Sequence, residues 1–227
     1  MAGVKQQVIA VPSVYVNAFI VQGERSIIVD TGLPGFETKI LETMERHDIK
    51  PADISLIVIT HGHNDHYGSA AYLKGKTGAP VAVQRADVET LRTTASRFLY
   101  PVGIKGKVMN LMAKMVKEPV VQALEPDILV EDEMSLVGYG IAGRIIPIPG
   151  HTPGSLSIML DGGCILIGDL IFGGLIRKQA PGFPYFCEDM PTLMKSIQTV
   201  LDLKPKIIYA GHGGPFTAAS VRRRFFH

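Results

Sequence analysis

Ile54-Ser55-Leu56-Ile57-Val58-Ile59-Thr60-His61-Gly62-His63-Asn64-Asp65-His66-Tyr67-Gly68 joins a strand-length apolar run to an H-x-H-x-D-H cluster. Three of the chain's seven histidines fall within these six positions. Composition alone gives such a pattern a chance of roughly 0.0003, and it has a ligand rationale. Imidazole nitrogen and carboxylate oxygen suit zinc or iron where the site must stay open to water. Gathering four such groups without a cation would cost several kcal/mol in desolvation and repulsion. The cluster therefore reads as a metal site at the end of a buried strand.

Outward from this run, the N-terminal side reads as a meander. Strands are expected over 8–11, 14–21 and 26–30, separated by Pro12-Ser13 and Gly23-Glu24-Arg25. Helical spacing of Phe36, Ile40, Leu41 and Met44 predicts a helix over 36–47, stopping before Pro51. On the C-terminal side come a short helix over 65–74, a strand over 81–83 and a helix over 86–97. The second half repeats the style with strands over 128–130, 135–137, 143–148, 156–160 and 164–167. A helix over 190–203 and a strand over 206–209 follow, and the basic Arg222-Arg223-Arg224 tail reads as a solvated end. Two halves of strands with interspersed helices predict an α+β fold with two packed sheets and helices outside. No linker or low-complexity stretch interrupts the chain, so 1–227 is expected to be a single domain.

Asp30, His151, Asp169 and His212 each follow an apolar strand within a Gly/Pro-rich loop. A rigid sheet can hold ligands at its strand ends, and small neighbours allow close backbone approach. Singly, each is as readily a turn residue. No G-x-S-x-G elbow is present to suggest a serine nucleophile.

Together, Val29-Asp30-Thr31-Gly32, the H-x-H-x-D-H run, Pro149-Gly150-His151-Thr152-Pro153-Gly154-Ser155, Gly168-Asp169 and Gly211-His212-Gly213 carry a resemblance. The chain resembles the metallo-β-lactamase superfamily, and more narrowly its glyoxalase-II-like hydrolases, over nearly its whole length. The resemblance implies an αββα four-layer sandwich with the site at one sheet edge. It implies that His61, His63 and His151 hold one metal and that Asp65, His66 and His212 hold a second. Asp169 would bridge them, and Asp30 would orient a ligand histidine from behind. Two zinc ions per chain are implied, with iron or manganese as alternatives. The activity implied is cleavage of a small ester, thioester or lactone by a metal-bound hydroxide, with Asp65 as catalytic residue and proton carrier. The alternatives are a mononuclear iron enzyme of the persulfide-dioxygenase type and a phosphodiesterase on the same metals.

Departures bear on the substrate. Glyoxalase II usually carries a glutathione-binding C-terminal extension, which is not expected here with fifteen residues following His212. Phe172 stands where quorum-sensing lactonases usually have Tyr, and the persulfide dioxygenases' Gly-Cys-Gly-Arg run is absent. Asp65 occupies the place where β-lactamases proper usually have Cys. Arg177, Lys178 and Tyr185, in the loop after Asp169, are the candidates to bind an anionic substrate group.

A net charge of +2 is by itself too small to suggest nucleic acid or a membrane as partner, and the resemblance implies a small-molecule substrate. Apolar runs are strand-length, so no membrane span is expected, and no secretory leader is read. The cysteines, Cys164 and Cys187, form no C-x-x-C; buried structural thiols and a cytoplasmic setting are expected. Finally, Val108, Leu111, Met112 and Met115 predict an amphipathic helix over 102–117, within an insertion at about 98–120. Its apolar face would pack on the chain's own core, cap the metal site, or form a homodimer surface.

Overall fold

Residues 6–14, 16–95, 97–117, 119–174 and 177–226 are described by a computed structural model. In chain order the elements begin with β1 (Gln7–Pro12), β2 (Asn17–Gln22), β3 (Ser26–Val29), α1 (Glu37–Arg46), β4 (Ile54–Val58) and α2 (Asn64–Tyr67). There follow α3 (Ala70–Thr77), β5 (Val81–Gln84), α4 (Val88–Thr93), α5 (Gly103–Ala113), β6 (Ile128–Val130), β7 (Met134–Ser135) and β8 (Gly143–Pro147). The chain closes with β9 (Leu156–Leu160), β10 (Cys164–Leu166), β11 (Phe172–Gly173), β12 (Pro181–Gly182), α6 (Met190–Asp202), β13 (Ile207–Tyr209) and α7 (Ala218–Phe225).

One sheet runs β1-β2-β3-β4-β5-β6 and the other β13-β10-β9-β8-β7. The first begins as an antiparallel meander and continues in parallel from β3 to β6. The two-residue side-chain period of its strands divides their apolar residues between two cores. Ile20, Ile28 and Ile57 face outward onto Ile40, Met44 and Leu73 of the covering helices. Their neighbours Phe19, Ile27, Val29, Leu56 and Val58 face inward onto Ile145, Leu156, Ile158 and Leu166 of the second sheet. Beyond that sheet, Ile165, Ile167 and Ile208 pack on Leu193, Ile197 and Val221 of α6 and α7. Strands buried on both faces read as continuous apolar runs, which is why 54–59 shows no alternation. The layers are therefore helix, sheet, sheet, helix, as the αββα resemblance implies.

Several expectations are corrected. Helix 65–74 is two helices, broken at Gly68-Ser69, where a Cβ on Gly68 would meet the Gly32 carbonyl at 2.8 Å. The strand expected from 14 starts at Asn17, with Val14 exposed. Arg222, Arg223 and Arg224 are exposed as expected, but they lie on the helix α7, capped by Thr217, whose hydroxyl accepts from the Ser220 N–H at 3.1 Å. Val221 anchors it in the core. Cys164 is half-buried rather than buried, and both thiols are free. The largest difference is α5, whose one buried residue is Gly106; Ile104, Val108, Leu111 and Met112 are exposed and do not form core. His227 lies outside the described residues.

Candidate metal centre

Every candidate ligand stands just beyond the C-terminal end of a strand: β3, β4, β8, β10 or β13. β3 and β4 run parallel, as do β10 and β13, and β8 is two antiparallel steps from β10. These five ends thus open on one edge of the sandwich, where Leu156 N–H donates to the Thr60 carbonyl at 2.8 Å and ties the sheets together.

His61, His63, His151 and Asp169 form one group of donors and Asp65, His66 and His212 a second, each spanning no more than 4.8 Å. In the first, His61 Nε2 and His63 Nδ1 are 3.0 Å apart, His151 Nε2 and His63 Nδ1 3.0 Å, and His151 Nε2 and His61 Nε2 3.2 Å. Ligands about 2.0–2.1 Å from a tetrahedral zinc stand about 3.4 Å from one another, so this triangle is within a few tenths of an ångström of a metal site. Asp169 Oδ2 closes the fourth corner at 3.5 Å from His151 Nε2 and 3.8 Å from His61 Nε2.

The outer hydrogen bonds fix the tautomers. His151 Nδ1 lies 2.8 Å from the Phe186 carbonyl, which can only accept, so the proton is on Nδ1 and Nε2 presents a lone pair. The Thr60 hydroxyl gives its proton to Asp30 Oδ2 at 2.8 Å, so it accepts from His61 Nδ1 at 3.1 Å and bares His61 Nε2. Burial, reinforced by neighbouring imidazoles, holds His61 well below the usual histidine range and pushes His63 down to about 3. Burial also lowers His151. His61 and His151 therefore aim lone pairs at the point on which His63 Nδ1 also converges.

The second group carries the opposite balance. His66 Nδ1 donates to Asp30 Oδ2 at 2.8 Å, so Nε2 faces Asp169 Oδ1 at 3.3 Å. Those two atoms are buried yet lack the alignment of a hydrogen bond, and each is left without a partner. Unsatisfied buried polar atoms are costly, and a cation between them would satisfy both. His212 Nε2 is 3.2 Å from Asp169 Oδ2 and 3.4 Å from Asp65 Oδ2. Burial works to lower His212, but Asp169 and Asp65 overcome it and raise its pKa to about 10. His66 is likewise raised against burial by Asp169 and Asp30. Burial would raise Asp65 and Asp169, yet the facing histidines keep both below the usual carboxylate range. The donor set fits divalent cations in both groups. Gly211 is required beside it: a Cβ there would fall on Asp169 Oδ1 and within 2.7 Å of His66 Cε1.

Two buried aspartates brace these loops. Asp30, in a left-handed backbone conformation (φ 59°) that Asp tolerates better than most residues, turns its carboxylate back to accept from Thr60 N–H at 2.7 Å as well as from Thr60 Oγ1 and His66. Asp87, fully buried, was not singled out by the sequence. Its Oδ2 accepts from Gly62 N–H at 2.7 Å and Thr152 Oγ1 at 2.8 Å, and its Oδ1 from Gly154 N–H at 3.1 Å and Arg97 Nη1 at 2.9 Å. It thereby pins the backbone between His61 and His63 to the loop that carries His151. Arg97 continues to Glu188 at 2.8 Å. An Asp at a helix start ordinarily caps that helix; Asp87 makes no such cap, which hid the signal.

A family model, the metallo-β-lactamase superfamily, matches residues 11–212. The chain belongs to the metallo-β-lactamase superfamily. A probable metallo-hydrolase of Methanocaldococcus jannaschii, MJ0888, is 29% identical over 87% of each chain. The hydroxyacylglutathione hydrolase GloC of Haemophilus influenzae is 29% identical over 88% of this chain and 85% of its own. Among solved structures, the BLEG-1 B3 metallo-β-lactamase superposes with a TM-score of 0.71 at 21% identity, covering 98% of both chains. TTHA1623, solved in a di-iron-bound form, gives 0.67 at 23% identity over 96% of this chain and 98% of its own.

In this superfamily member one wall beside the donors is aromatic. The Phe172 ring lies 4.4 Å from that of His212 and 6.4 Å from that of His151, and the Tyr185 ring packs edge-on against Phe172 at 5.2 Å. Tyr185 is thus carried to the site's edge. Arg177 and Lys178 are exposed on the connection between β11 and β12. Arg177 opens on a surface cleft of about 600 Å³ shared with Arg223 and Arg224. His63, Asp65 and His212 are the donors not fully buried, so the site is entered from their side. Among the described residues, no helix is long and apolar enough to cross a membrane.

Proposed function

We propose that this enzyme is a binuclear metal-dependent hydrolase of a small ester, thioester or lactone. The observation that carries the reading is the pair of donor groups sharing Asp169, one carboxylate oxygen turned toward His66 and the other toward His212, His151 and His61. A mononuclear iron oxygenase would leave the second group without a purpose, although Asp65, His66 and His212 are gathered as closely as the first. A donor set of imidazole and carboxylate without thiolate suits zinc, iron or manganese, and zinc is the proposed ion. Two such ions, when bound, supply a water whose pKa falls toward ~7 and polarise the substrate carbonyl.

The chain's own residues do the rest. Asp30, through His66 and Thr60, fixes which imidazole nitrogens face the centre. Asp65, 31% exposed at the open side with Oδ2 3.4 Å from His212, would take up a proton only in the course of the reaction and pass it to the departing group. Phe172 and Tyr185 offer an apolar surface to the acyl part and exclude water from that side. The relative GloC, named as a hydroxyacylglutathione hydrolase, favours thioesters as the first substrates to try.

The test is turnover of a panel of thioesters, lactones and phosphodiesters by the metal-loaded protein, with Asp65→Asn alongside. The reading expects acyl substrates to be cleaved and Asp65→Asn to lower kcat by ~10²-fold or more. Exclusive phosphodiester cleavage, or oxygen uptake with a persulfide, would replace it.

A further inference from the structure

Nine of the fourteen large hydrophobic side chains exposed among the described residues lie between Phe98 and Val120. On α5 they share a face. At 100° per residue, Ile104, Val108 and Leu111 project about 140–200° from Gly106, the residue through which the helix meets the protein. Gly106 sits on the Tyr185 carbonyl with no room for a Cβ, and Val102 N–H donates to that carbonyl at 2.8 Å. Cys187 N–H donates to the Tyr100 carbonyl at 3.0 Å. The helix is therefore fixed back-to-front, with Ile104 82%, Leu111 65% and Met115 81% exposed. A contiguous apolar patch of this kind marks an interaction surface, whereas single exposed side chains do not.

Charge selects the partner. Residues 98–120, the span of the patch, contain Lys105, Lys107, Lys114 and Lys117 against one acidic residue, Glu118. Lys107 and Lys114 flank one side of the apolar face and Lys105 the other. None of the four is in an ion pair among the described residues. Against a second copy related by a two-fold axis, antiparallel α5 helices would bring Lys107 of one beside Lys114 of the other, like charge on like. An anionic lipid surface answers both features, taking the apolar side chains below its headgroups and the ammonium groups among its phosphates.

We propose that α5 is an interfacial helix that docks this protein on anionic membranes. The anchoring segment that carries Tyr185 and the Phe186 carbonyl also borders the metal centre, so the docking helix and the site share one segment. The net charge of +2 conceals this, because the cations that matter are concentrated on one short segment.

The full-length protein is to be sedimented with vesicles of phosphatidylcholine and of phosphatidylcholine with phosphatidylglycerol, three parts to one. The expected result is binding to the anionic vesicles, weakened in high salt. Lys107→Gln with Lys114→Gln should lower the partition coefficient about 25-fold, at about fivefold per lysine. Leu111→Ser with Met115→Ser should abolish binding while leaving the melting temperature unchanged, because both side chains already face solvent. The proposal is overturned if wild type sediments no better with anionic than with neutral vesicles, or if the serine variant sediments like wild type. It is also overturned if the patch proves to hold a dimer, seen as a wild-type dimer that the serine variant converts to monomer without any lipid binding.

Discussion

Replacing Asp87 by alanine strips the acceptor from three buried donors, Gly62 N–H, Thr152 Oγ1 and Gly154 N–H, and from the partly buried Arg97 Nη1. A buried donor left unpaired costs about 1–3 kcal/mol. Arg97 retains Glu188 at 2.8 Å and Thr90 at 3.3 Å, so its loss is partly offset. Broken buried charge networks of this kind cost about 3–5 kcal/mol in total, because the single terms do not add. For a domain of this size, about 2–4 °C per kcal/mol converts this to a fall in Tm of about 6–20 °C. Asp87→Asn keeps an oxygen for Gly62 and Thr152 but turns an amide NH₂ toward Gly154 N–H and Arg97, so it should fall between wild type and alanine. The loops that carry His61, His63 and His151 lose their brace, so metal affinity should drop about 10–100-fold. Chelator competition, run well below both melting temperatures, separates that effect from unfolding. An Asp87→Ala protein with metal affinity within twofold of wild type would refute the bracing role.

Gly211→Ala places a methyl group against Asp169 and His66, so it should abolish metal binding while the outer helices still fold, as circular dichroism with metal analysis will show. In the chelated protein, His61, His63 and His151 have lowered pKa values, so stability falls as pH drops below their unfolded value of about 6.5. His66 and His212 are raised, so their stabilisation is complete below about 6.5 and is lost as pH climbs toward the His212 value of about 10. The metal-free Tm should therefore peak near pH 6.5, and a steady rise from pH 5 to 9 would contradict these assignments. Burial pushes the Cys187 thiol up to about 11, and it donates to the Gly150 carbonyl at 3.2 Å, so alkylation at pH 7.5 should be far slower for Cys187 than in the unfolded chain.

The layered fold was legible because buried strands leave unbroken apolar runs, and because the ligands sit where those runs stop. Strand ends made His151, Asp169 and His212 candidates, and the resemblance to the metallo-β-lactamase superfamily is what grouped them with the H-x-H-x-D-H run. Asp87 could not, since its partners lie 25, 65 and 67 residues away and nothing local distinguishes it from a helix cap. Helical spacing announced an apolar face on α5 but not its direction; that is set by Gly106 meeting the Tyr185 backbone, a contact across some eighty residues. The α7 tail was obscured by three consecutive arginines, although Val221 and Phe225, four residues apart, turn one side of it inward.

The central claim is that two donor groups share Asp169, and counting metal ions tests it most directly. Wild type, His212→Ala and Asp169→Ala would be loaded with zinc, iron or manganese, dialysed and analysed by plasma mass spectrometry. The account predicts about two ions per chain for wild type and about one for His212→Ala, with less than wild type at both sites for Asp169→Ala. A wild-type protein that never exceeds one ion per chain, or a His212→Ala protein that keeps two, would contradict it.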